Sequence, residues 1–199
     1  MTAERKHPYR GLPSTAYWRG SVSQGAFPLG LGHGASLELD DRVMSAGSCF
    51  ASNLVPWLER AGIEYVRTEP PHPALAHLQE NLGYREFSAA YGNIYTVRQF
   101  VQLVKRAWGR FAPAEDRWYE DGRVIDPFRP GLRYPATSDG EFNALLAQHL
   151  ECVRRALEAA TVVVFTLGLT EAWCSKTDGA VFPVAPGVIA GEFRDSRHE

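Results

Sequence analysis

The chain has few of the features that mark the commoner functional classes. Its three cysteines in 199 residues, Cys49, Cys152 and Cys174, are too few and too widely spaced for a disulfide framework or a Cys-x-x-Cys knuckle. A stapled extracellular scaffold and a structural zinc site are therefore not expected. Basic charge is not in excess either. The 21 lysines and arginines stand against 23 acidic residues, and the net charge of -2 provides no global field for a polyanion, so a nucleic-acid partner is not expected. No stretch approaches the roughly 20 apolar residues that cross a bilayer. The segment Met1 to Pro8 lacks the apolar core of a secretory signal, which points to a cytoplasmic protein with no membrane partner. Gly30-Leu31-Gly32-His33-Gly34 has the glycine density of a phosphate loop, but nothing before it reads as a strand and no helix clearly follows, so it is a turn and implies no cofactor.

What the chain does have is a core. A hydrophobic fraction of 45% and an aromatic fraction of 12% suit one packed domain. Residues 1–37 are rich in Pro, Gly and Ser without a sustained period and read as an irregular arm, leaving 38–199 as the folded domain. Val43 to Ala46 reads as a first strand, Asn53 to Gly62 as an amphipathic helix ending at glycine, and Ile63 to Val66 as a short second strand, which is a β-α-β start. Thr96 and Gln99 have capping-box spacing ahead of a helical stripe from Phe100 to Phe111. Ser138 and Glu141 repeat that spacing ahead of a second stripe from Phe142 to Leu157, within which His149 reads as structural. Trp118 to Pro135 reads as a long loop, of the length that is commonly functional in a compact domain. In it Asp126-Pro127-Phe128-Arg129-Pro130 could floor a pocket, with Arg129 offering a fork to a carboxylate or phosphate, against the plainer reading of a surface salt bridge. The unbroken β-branched run in Thr161 to Leu167 is what a parallel strand covered on both faces requires, and predicts a central place in an α/β sandwich.

The chemistry concentrates where the first strand ends. Val43-Met44-Ser45-Ala46-Gly47 runs into two adjacent nucleophile-capable side chains, Ser48 and Cys49, just ahead of a helix. At such a turn helix amides point at the site, where they can stabilise an oxyanion and assist thiol chemistry. The plainer reading makes Ser48 a helix cap and Cys49 a small buried hydrophobe. Ligands of parallel sheets bind at the carboxyl ends of the strands. The later strand delivers Gly168-Leu169-Thr170-Glu171 to that same end.

Gly47-Ser48-Cys49-Phe50-Ala51 resembles the signature of the GSCFA family, which is grouped with the SGNH (GDSL-like) hydrolases. Further strings resemble that family in the same order: His7-Pro8-Tyr9-Arg10, Tyr17-Trp18-Arg19, Tyr91 to Thr96, Asp126 to Pro130, and Thr166 to Trp173. The resemblance implies a three-layer α/β/α, flavodoxin-like (SGNH hydrolase-like) sandwich with a central parallel sheet. The chain stops at Glu199, where family members continue through another strand and a distal histidine, so the resemblance also implies a domain incomplete at its carboxyl end. It implies Gly47, with Gly92 or Asn93, and Gly168 with Thr170 or Glu171, as oxyanion or substrate-binding elements. Two departures are plain. Where the superfamily has Gly-Asp-Ser, an ungapped match sets Ser48 at the aspartate and Cys49 at the nucleophile. Where it has Gly-x-Asn, this chain has Gly168-Leu169-Thr170.

Register and chemistry favour Cys49 slightly over Ser48, since a serine needs an adjacent base whereas a thiol at a helix amino terminus ionises with less help. The base is the gap. Asp195-Ser196-Arg197-His198 fits the superfamily's Asp-x-x-His string, but the residues between Trp173 and Asp195 read as a turn-rich excursion, too short for the helix and strand that should intervene. Two classes stay open. One is an ester hydrolase or O-acyltransferase acting on an acylated carbohydrate-like or small molecule through a covalent acyl intermediate. The other is a catalytically inactive module that binds a carbohydrate or acyl ligand in the same crevice. Neither the acyl group nor the oligomeric state is written in the sequence.

Overall fold

The computed structural model describes residues 13, 36–71, 77 and 82–199. The amino-terminal arm, except Pro13, Ser36 and Leu37, lies outside the described residues, as do the glycine string at 30–34, the two amino-terminal family strings, and His7, His33 and His72.

Three parallel strands organise the domain: β1 (Arg42–Ala46), β2 (Glu64–Tyr65) and β5 (Val162–Phe165), in the order β2-β1-β5. Val43 to Ala46 are wholly buried. Their alternation sends Val43 to one face, where it packs with Val55 and Leu58 of α1 (Cys49–Arg60). Met44 and Ala46 go to the other face, with Leu103 of α2 (Val97–Ala107) and Val153 and Ala156 of α3 (Asp139–Ala159). Each such aliphatic side chain removed from water contributes about 1.5–3 kcal/mol, so a strand covered on both sides anchors the sheet. The molecule is thus a mixed α/β fold with a parallel sheet.

The expectation of a central place for the second apolar strand is corrected. Among the described residues β5 pairs only with β1 and forms the sheet edge, with Val163 43% exposed. Its β-branched run is half used. Val162 and Val164 pack toward α1, while on the opposite face Phe165 stacks on Phe100 and Val163 stays exposed. Position in a sheet is set by which strands arrive beside it, which a strand's own composition does not encode.

The caps behave as their spacing predicts at α2, where the Thr96 hydroxyl accepts from Gln99 N and the Gln99 side chain accepts from Thr96 N. At α3 only half of the expected box forms. Ser138 accepts from Glu141 N, but the Glu141 carboxylate turns to the Thr137 amide and hydroxyl, both at 2.7 Å.

The segment read as a long loop holds a hairpin, β3 (Trp118–Glu120) against β4 (Arg123–Ile125). Its turn is Asp121-Gly122, with φ of 46° and 71°, the left-handed pair that a tight hairpin turn requires. A second small hairpin, β6 (Trp173–Cys174) with β7 (Val181–Phe182), replaces part of the turn-rich excursion. It is clamped to α2 by Gln102, whose amide donates to Val181 O at 3.1 Å and accepts from Val181 N at 2.7 Å.

Candidate functional site

The turn after β1 is built by three segments that meet at the carboxyl end of the sheet. Gly47 accepts from Ile94 N at 2.7 Å, and Gly168 N and Leu169 N both donate to Tyr95 O, at 3.2 and 3.1 Å. A β-carbon on Gly168 would lie 3.9 Å from the Ser48 Cβ. Gly47 is obligatory: its φ is +152°, and a β-carbon there would fall 2.0 Å from Thr166 Oγ1. Of the expected junction, the fold brings Gly168 to Gly47 and Ser48, and it is Ile94 and Tyr95, directly after Gly92 and Asn93, that bond to the turn and to Gly168 and Leu169.

Ser48 is the N-cap of α1, in extended backbone, with its Oγ accepting from Phe50 N at 3.3 Å. Cys49 is the first helical residue and is exposed, so it is not the buried small hydrophobe of the plainer reading. Helix geometry leaves the first amides without internal partners. Among the described residues, the Phe50 and Ala51 amides are taken by the Ser48 side chain and carbonyl, whereas no group accepts from Ser48 N or Cys49 N. Two unused donors thus stand beside an exposed thiol.

The companion residues are more committed. Gly92 is buried with φ of +66°, and the Asn93 amide donates to Tyr95 Oη at 3.2 Å. Thr170 and Glu171 are exposed, and the Thr170 hydroxyl donates to Glu171 Oε2 at 2.8 Å, a bond that holds the Glu171 carboxyl below its ordinary range. A cavity of about 370 Å³ opens beyond this pair, lined by Tyr95, Leu169, Glu171, Trp173 and Phe182 among others.

Three expectations are corrected. Arg129 is not an open fork. It is buried, its Nε donates to Asp126 Oδ2 at 2.8 Å and its Nη1 to Glu69 Oε1 at 3.2 Å. Nor is its pairing the surface salt bridge of the plainer reading. Glu69, which the sequence did not single out, also accepts from Ala90 N at 2.7 Å and pairs with His149 Nδ1 at 2.6 Å. Burial is the largest influence on both members of that last pair. It holds His149 below its ordinary value, hence neutral, whereas for Glu69 burial is outweighed by His149, Arg129 and the Ala90 amide, which hold the carboxyl low. Asp126 is held low in the same way, burial being overcome by Arg129 and Arg106.

His198 is not placed as a free base. It is buried, Nδ1 accepts from Arg194 N at 3.0 Å, and Nε2 lies 3.0 Å from Glu115 Oε2. With Nδ1 accepting, the ring proton sits on Nε2 and donates to Glu115, so both nitrogens are used. Asp195 does not pair with it: Asp195 is exposed and its carbonyl accepts from Lys176 Nζ at 2.7 Å. Among the described residues no histidine hydrogen-bonds to Ser48 or Cys49, and no group of three or more His, Cys, Asp or Glu side chains could hold a metal ion. No described helix is long and apolar enough to cross a membrane.

A parallel sheet whose central strand ends in a glycine turn bearing an exposed thiol at a helix amino terminus defines an α/β protein with a strand-end candidate site. The family model for GSCFA matches residues 42–198, which cover that sheet, the turn and both small hairpins, and the chain belongs to the GSCFA family. No curated protein and no solved structure matches it.

Proposed function

We propose that the protein is an ester hydrolase or O-acyltransferase of the GSCFA/SGNH type, acting on an acylated carbohydrate-like or small molecule. The observation that carries this reading is the pair of unused amides at Ser48 and Cys49 beside the exposed Cys49 thiol. In the reaction the Cys49 sulfur, its proton given up to solvent, attacks the ester carbonyl and forms a C–S bond. The carbonyl oxygen takes up the negative charge and is held by those amides. The ester C–O bond then breaks and the departing alkoxide is protonated by water. Water or a second hydroxyl attacks the thioester, releases the acid or a new ester, and restores the thiol. Ser48 is the alternative nucleophile, with its hydroxyl now held only by a 3.3 Å contact to the Phe50 amide. Helices on both faces of β1 support the SGNH-like sandwich.

A second reading is favoured by the state of the histidines. Among the described residues His149 and His198 are buried in pairs with Glu69 and Glu115, and His77 is exposed, as suits a module that binds an acyl or carbohydrate ligand and does not turn it over. Rapid mixing of the full chain with p-nitrophenyl acetate separates the two. The first reading expects a burst of nitrophenolate approaching one equivalent per chain; neither burst nor turnover contradicts it and leaves the binding module.

A further inference from the structure

The cavity beside the turn has a composition that the acyl chemistry does not explain. Its wall is aromatic and apolar, from Tyr95, Leu169, Trp173 and Phe182, and its charged lining groups are Glu171 and Glu199. No lysine, arginine or histidine among the described residues lines it. Phe182 is a rigid floor, 1% exposed and stacked on Phe128 with ring centroids 5.3 Å apart. Trp173 is braced edge-on by Phe193 at 5.5 Å yet remains 43% exposed, so part of the indole is open to a ligand. The Thr170 hydroxyl fixes the Glu171 carboxylate at 2.8 Å and keeps it ionised. The same backbone holds the cavity to the turn, since Gly168 and Leu169 are bonded to Tyr95 and Gly168 lies against Ser48.

Aromatic faces with carboxylates and no countercharge attract organic cations and repel anions. A ring quadrupole contributes about 0.5–2 kcal/mol toward a cation within about 6 Å of its centroid. A volume of about 370 Å³ accommodates a quaternary ammonium group with its short linker, and lies within the usual range for small-molecule pockets. We propose that this cavity is a subsite for an organic cation, a quaternary or primary ammonium group carried by the acyl donor or by the acceptor. The assignment rests on the acyl-transfer reading for its role, though the binding itself needs no turnover.

The probe is choline against its neutral isostere 3,3-dimethylbutan-1-ol, titrated into the full chain by calorimetry. Choline is expected to bind at least about tenfold more tightly than the isostere, because the two differ only in charge. Glu171→Gln should weaken choline about three- to tenfold and leave the isostere unchanged, and Trp173→Leu should weaken choline further. A Cys49→Ala variant should bind choline as the unaltered chain does, which separates this subsite from the acyl chemistry. Equal binding of choline and the isostere, tighter binding of acetate or inorganic phosphate, or choline binding that ignores both Glu171→Gln and Trp173→Leu would each overturn the proposal, whatever the outcome with p-nitrophenyl acetate.

Discussion

Two places in this domain gather residues able to do chemistry, and they differ in how open they are to solvent. In the interior, Asp126, Arg129, Glu69 and His149 form a chain of charged and imidazole groups, each 7% exposed or less. It looks like a catalytic constellation, complete with a carboxylate holding a histidine. Yet its carboxylates are answered by guanidinium groups and backbone amides, and its side chains are buried, even where Asp126, Arg129 and Pro130 floor a cavity of about 180 Å³. At the strand end, among the described residues, Ser48 and Cys49 bond to no carboxylate and no histidine and form no ion pair, but present an exposed thiol and two amides without partners. Residue type marks both places equally. Accessibility distinguishes the candidate site from the structural one, since the buried cluster also keeps an unspent nitrogen, His149 Nε2.

The largest effect is expected from damage to the buried cluster. Arg129→Met leaves Glu69 and Asp126 as buried carboxylates without their shared cation, and should cost about 3–5 kcal/mol of stability, read from urea unfolding midpoints. If the variant is as stable as the parent, the cluster is not the structural centre described above. At the other region, Gly47→Ala forces a side chain into backbone of positive φ and against Thr166. It should cost about 1–3 kcal/mol for the backbone alone and should also abolish acyl labelling of the turn. Retained stability and retained labelling together would show that the turn is not held as the contacts indicate.

A smaller effect separates the regions by pH. His149 is held neutral in the fold and becomes charged once unfolded, so its contribution is fully present above its ordinary value of 6.5 and is lost as pH falls below it. The lowered Glu69 and Asp126 carboxyls add losses of the same sign further down, below their ordinary values of 4.5 and 3.8. The urea midpoint should therefore fall between pH 7.5 and 5.5, and His149→Gln should flatten that upper part of the fall. A midpoint that rises on acidification would mean that His149 is charged in the fold. The smallest expected change in labelling is at His198. His198→Gln loses a buried pair with Glu115 and should cost about 1–3 kcal/mol, while labelling at the turn proceeds at the parent rate. A collapse of labelling in a folded His198→Gln chain would restore it as the base.

The elements of the sheet were legible because their signals are local. An apolar run into glycine marks β1 and its turn, and Thr96 with Gln99 marks the start of α2. Asp121-Gly122 was an equally local hairpin signal inside a stretch read as loop. It could have been found, since that dipeptide supplies the left-handed pair directly. The Glu69 partnership could not be read. Glu69 lies 60 residues from Arg129 and 80 from His149, and no spacing rule joins them. For the same reason the sequence left Arg129 open between a fork and a salt bridge, and His198 as no more than a match to a base string: each has the right chemistry, and only the fold tells whether a partner has already taken it.

The central claim, that the strand-end turn carries the nucleophile, is tested most directly by intact-mass analysis of the full chain after exposure to an activated acyl ester, beside Cys49→Ala and Ser48→Ala. One acyl adduct per chain, lost in Cys49→Ala and kept in Ser48→Ala, is the predicted result. An adduct retained in both variants, or no adduct in the unaltered chain, would contradict it.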